Sequence, residues 1–242
     1  MAATETLIAH LLELRSRLLH STAALLLVFL CLFPWAAELY TLLAQPLLDK
    51  LPKGGQMIAT GVTTPFFVPI KVAMMAAFLI SLPYILWQMW RFVAPGLYAH
   101  EKRLVWPLVF ASTMLFFSGM AFAYFAVFPV VFGFITGVAP QGVAVMTDID
   151  EYLSFVIGMF MAFGITFQVP VAVIVLVRMG VVSIKKLREI RSYVVVGAFV
   201  VGAIFTPPDV VSQFMLAIPL WLLYEAGIVV AAWTMPSEGQ PG

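Results

Sequence analysis

Glu13 and Glu101 are the acids whose surroundings suit them to chemistry. Each stands beside an apolar run long enough to cross a bilayer and has bases close by, Arg15 and Arg17 for the first, Lys102 and Arg103 for the second. A carboxylate at such a boundary can take a guanidinium bidentately. Phe92 shares residues 91–103, RFVAPGLYAHEKR, with Glu101 and adds an aromatic face. Together they suit a cationic peptide. Plainer readings stand beside this one: Glu13 as the i,i+4 partner of Arg17 on an exposed turn, and Glu101 as a helix-start acid complementing the macrodipole.

The remaining polar positions are few. Gln168 lies inside the apolar run AFGITFQVP, where a buried amide needs a partner and an interhelical hydrogen bond would supply one. Thr206 and Gln213 bracket the turn TPPD and form a polar patch there, or are simply solvated at the interface; Pro46 and Asp209 read first as turn formers. His10, His20 and His100 have no ligand spacing and Cys31 is the single cysteine, so neither a metal site nor an intrachain disulfide is expected. No phosphate-binding glycine loop, dinucleotide fingerprint or nucleophile elbow occurs. We expect no enzyme activity, no cofactor and no nucleotide hydrolysis.

The elements that must position these residues are membrane helices. The chain of 242 residues is 63% hydrophobic and 10% charged, with a mean hydropathy of +1.05, whereas a soluble chain is near half apolar and a quarter charged. A net charge of +1 argues against nucleic acid as a partner. The fold class is all-α, a polytopic membrane protein of six transmembrane helices kinked by prolines. Residues 1–17 form a cytoplasmic amphipathic segment with Leu7, Leu11 and Leu14 on one stripe. Residues 18–233 form the transmembrane domain, with spans near 18–40, 65–90, 104–129, 152–177, 192–206 and 210–232, and 234–242 a disordered tail.

Two further expectations concern geometry. The stretch between Arg191 and Asp209 makes about 25 Å of helix against roughly 30 Å of hydrocarbon, and Glu225 recurs about as far along the return. The last two spans are therefore expected to be short, with Glu225 at the membrane exit. Arg15, Arg17, Arg91, Lys102, Arg103, Arg178, Lys185, Lys186, Arg188 and Arg191 fall on one side and Lys50, Lys53 and Lys71 on the other. By the positive-inside rule both termini and the 91–103 loop are cytoplasmic.

Several segments in order resemble one family: HLLELRSRLL, QMIATGVTTPFFVPIK, FVAPGLYAHEKR, GMAFAYFAVFP and YVVVGAFVVGAIFTPPDVVSQ are similar to TatC, the six-span receptor subunit of the twin-arginine protein translocase. The resemblance covers nearly the whole chain. It implies a receptor in the bacterial cytoplasmic membrane for twin-arginine signal peptides of folded proteins, driven by the proton gradient. It also implies a recognition site at Glu13, Phe92 and Glu101, single-span partners TatB and TatA docking along spans five and six near Thr206 and Gln213, and self-association in the receptor complex. Pro46, Tyr124 and Asp209 match positions on or near the external face that the family depends on. Where many members carry a glutamate, Gln168 stands, which keeps hydrogen bonding and removes a titrating group. The rival reading is a secondary transporter or proton channel for a small solute, which needs ionisable side chains at mid-depth.

Overall fold

The computed structural model describes residues 2–48, 57–93, 105–137, 147–206 and 210–234. Glu101, Asp209, the tail at 235–242 and the side chain of Pro46 lie outside the described residues. Ten α-helices are found there: α1 Ala2–Leu32, α2 Ala36–Leu48, α3 Thr64–Val93, α4 Val105–Phe122, α5 Phe128–Gly137, α6 Ile149–Thr166, α7 Val169–Arg178, α8 Ile184–Glu189, α9 Arg191–Phe205 and α10 Val210–Thr234. No strand occurs among them, and Ile58 and Asp148 form an isolated parallel bridge. The fold of the described residues is all-helical.

Prolines and helix caps explain where the helices pause. A single 3₁₀ turn, Phe33–Trp35, joins α1 to α2; Pro34 has no N–H to give the preceding turn, and the tighter turn keeps the chain helical. α3 runs through Pro69 and Pro83 without interruption. Between α6 and α7, Pro170 leaves the Thr166 carbonyl without its helical donor, and the Gln168 N–H turns to Ile165 O at 2.9 Å. α7 closes on Gly180, whose φ of +69° lies in the left-handed region. There Gly180 N–H donates to Val177 O and Val181 N–H to Leu176 O, the paired bonds of a glycine-closed helix end.

Among the described residues, five segments are long and apolar enough to cross a membrane: His10–Gln45, Thr64–Val93, Val105–Phe134, Ile149–Arg178 and Val210–Trp233. Arg191–Phe205 is apolar but shorter. Large apolar side chains lie bare along these helices, among them Leu30, Phe110, Phe125 and Ile204. Water would not tolerate such a surface; acyl chains do, because every helical backbone group is already bonded internally. This is a multi-pass membrane protein.

The described residues form two compact units. In the first, residues 1–45, 58–113 and 148–153, α1 packs along α3, and the Trp90 indole donates to Ser112 Oγ at 3.0 Å, joining α3 to the first half of α4. At the N-terminal end of α3, Lys71 pairs with Asp150 at 2.5 Å and the Tyr152 hydroxyl donates to Leu43 O at 3.0 Å.

In the second unit, residues 46–57, 114–147 and 154–242, Phe128, Phe132, Phe155 and Phe160 stack around the α5–α6 contact. Val173, Val177, Leu187, Tyr224, Ile228 and Ala231 form the core joining α7, α8 and α10.

Helix ends differ from the sequence expectation in two places. α1 passes residue 17 without a break, so the amphipathic segment and the first apolar run are one helix. A π-helical turn, Ala123–Val127, carries α4 into α5, and helix continues to Gly137. Of the last two helices, α9 has 15 residues and α10 has 25, so helix continues past Glu225. Glu225 does not stop α10 because Arg191 neutralises it at 2.6 Å, the Tyr224 hydroxyl is taken up by Leu187 O at 2.7 Å, and Ile228 and Ala231 beyond it are buried.

Candidate functional site

The first unit brings two of the expected recognition residues to one end of the α1–α3 pair. Glu13 and Arg17 are one turn apart on α1, with Arg17 Nε donating to Glu13 Oε1 at 3.0 Å and Nη2 donating to the same oxygen. The third guanidinium nitrogen, Nη1, donates to Gln88 Oε1 on α3 at 3.2 Å. Gln88 is buried, and its own amide nitrogen donates to the Tyr84 hydroxyl at 2.7 Å. One turn before Glu13, His10 stacks on Phe92 with centroids 4.2 Å apart and planes 21° apart. A turn before Phe92's neighbour, Trp87 lies under the Arg91 guanidinium at 4.8 Å.

The chemistry available here is charge and aromatic recognition. Glu13 keeps Oε2 without a donor among the described residues, while Oε1 is committed to Arg17. Its side chain is 37% exposed, so the open oxygen is reachable. The His10–Phe92 pair offers a flat face beside it. His10, Tyr84 and Gln88 were missed by the sequence reading. Gln88 did carry a signal, an amide inside an apolar helical run, the same signal that singled out Gln168.

The other expected residues sit elsewhere. In the second unit, Gln213 Nε2 donates to Phe199 O at 2.9 Å and its backbone oxygen would lie 3.2 Å from a Cβ at Gly202, so α9 and α10 approach closely there. Thr206 is buried and its hydroxyl donates to Gly202 O at 2.8 Å. These two polar groups thus serve the α9–α10 turn rather than standing free. Gln168 is the residue before α7, at the break made by Pro170, with its carbonyl accepting from Ala172 N–H at 2.9 Å. Tyr124 lies in the π-helical turn, its ring against Phe160 and Phe128. Pro46 is in the last turn of α2.

Residues 9–219 match the family model described as TatC, Sec-independent protein translocase protein. The chain belongs to the TatC family. It is 55% identical over 225 residues to the Sec-independent protein translocase protein TatC of Escherichia coli (strain K12), covering 93% of this chain and 87% of that one. With the protein of the same name from Haemophilus influenzae it is 49% identical over 237 residues, 98% and 93% of the two chains. Its fold is similar to a crystal structure of the twin-arginine translocase receptor TatC, with a TM-score of 0.82 and 40% identity over 93% of this chain and 98% of that one. TatC proteins are translocase components, and this chain takes that role in Sec-independent protein transport. All nine residues singled out from the sequence fall within the matched region.

Proposed function

We propose that this TatC protein receives twin-arginine signal peptides at the cytoplasmic end of the α1–α3 pair, where Glu13, Phe92 and Glu101 recognise the guanidinium groups. The half-used Glu13 carboxylate beside the His10–Phe92 face is the observation that carries this reading. Arginine suits it better than lysine because a planar fork can bond the open oxygen and lie on the aromatic face together.

The proposal includes a six-crossing body bent at its prolines, termini in the cytoplasm and residence in the bacterial inner membrane, supported by the one-sided distribution of Arg and Lys. TatB and TatA helices dock along α9 and α10 near Thr206 and Gln213, Pro46, Tyr124 and Asp209 act on or near the external face, copies associate in the receptor complex, and the proton gradient drives transport. Gln168 takes part as a hydrogen-bonding amide, since it cannot titrate. Small-solute conduction would want ionisable side chains at mid-depth, where this chain has the neutral Gln168.

Binding of a fluorescent twin-arginine peptide to the purified chain tests the reading. Glu13→Ala and Glu101→Ala should each weaken binding by about tenfold, with a larger loss together. Unchanged affinity in the double variant would overturn the site.

A further inference from the structure

We propose that Gln88 is a positioning residue for this recognition: acting through Arg17, it holds the Glu13 carboxylate with one oxygen turned inward and the other presented to the peptide. The inference rests on the reading of Glu13 as a receptor carboxylate. An i,i+4 Glu–Arg pair on an exposed turn ordinarily samples many rotamers and is screened by water. Here a second helix restrains it. Arg17 spends all three guanidinium nitrogens, two on Glu13 Oε1 and one on Gln88 Oε1, and its side chain is 18% exposed.

The amide of Gln88 has only one usable orientation. Its oxygen must face the Arg17 donor and its nitrogen the Tyr84 hydroxyl; flipped, the amide would turn N–H groups toward a guanidinium that has no acceptor. Gln88 is also buried at 7% exposure, so no water can replace the contact cheaply. The chain Tyr84, Gln88, Arg17, Glu13 therefore runs from the packed face of α3 to the open carboxylate. Two consequences favour an incoming arginine. The carboxylate is ordered before binding, which lowers the entropy lost on association. The Arg17 charge is also drawn toward α3, away from the oxygen that the peptide uses.

Peptide titration with the full-length chain in nanodiscs, combined with a double-mutant cycle, tests this. Gln88→Leu should weaken twin-arginine peptide binding about three- to tenfold with the thermal melt retained. Arg17→Lys, whose ammonium cannot span both partners, should do the same and serves where Gln88→Leu fails to fold. In a Glu13→Gln background both losses should vanish, because no carboxylate remains to be positioned. Equal losses in both backgrounds, or none with Glu13 intact, would overturn the role of Gln88 while leaving the receptor site standing. If Glu13→Gln alone leaves affinity unchanged, the receptor reading itself fails and this inference with it.

Discussion

Asp148 illustrates how one side chain can serve two elements at once. Its Oδ1 accepts from the N–H groups of Asp150 and Glu151 at 2.7 and 3.3 Å, capping the first turn of α6 as an N-cap aspartate does. Its Oδ2 accepts from Thr60 N at 2.8 Å and Thr60 Oγ1 at 2.6 Å, fastening the segment before α3 to the same point. The Thr60 hydroxyl first, then the backbone donors, hold the Asp148 carboxyl down at about 2, below its ordinary 3.8. A depressed carboxyl contributes stability above its unfolded pKa and loses it as pH falls through the folded one. Protection of the Thr60 amide, measured by hydrogen exchange corrected for intrinsic rates, should therefore hold above pH 4 and fall away between about 4 and 2. In Asp148→Asn the loss over that window should disappear; an unaltered profile would refute the assignment.

At the level of elements, α4 and α6 approach closely at a glycine. A Cβ on Gly119 would stand 2.6 Å from the backbone oxygen of Phe163, so the helices can meet there only because the position is glycine. A Cβ on Gly164 would stand 2.5 Å from the ring of Phe116, a side chain that can rotate aside. Gly119→Ala should thus lower stability by about 1–3 kcal/mol, read as a drop in melting temperature in detergent, and Gly164→Ala by less. The reverse order would mean that α6 yields more readily than the Phe116 ring. A second element-level lesson comes from α9 and α10. Gly202 meets Gln213, and Arg191 meets Glu225, so α9 and the first part of α10 run side by side for about 22 Å. What is short is this paired stretch, while α10 itself continues past it.

For the whole molecule, the expected arrangement is an inner end at Glu13 and Gln88 and an outer end at Thr60 and Lys71, which α3 separates by about 25 Å. With Cys31 replaced by alanine, a membrane-impermeant thiol reagent applied to intact cells should label a cysteine at Thr60 and spare one at Ser16. Labelling at Ser16 would invert the topology and remove the recognition site from the cytoplasm. Spin-label depth along α10 should place Glu225 near the headgroups, as its pairing with Arg191 at the start of α9 suggests, and not at the bilayer centre.

Composition and order of residues were enough to determine that this chain lives in a membrane and is of the all-helical class, and they set the expectation that most of its basic residues lie on one side. These are properties that every segment carries by itself, through its own hydropathy and charge. Glu13 and Phe92 could be singled out as candidates, since an acid or an aromatic beside an apolar run is visible locally. Tertiary structure alone decided which partners they keep. Arg17 and Gln88 are 71 positions apart, and nothing in either segment specifies the other until α1 lies along α3. The Arg191–Glu225 pair was decided the same way: Glu225 reads as an exit in the sequence because an unpaired charge is costly in hydrocarbon, and only the folded chain brings Arg191 to it.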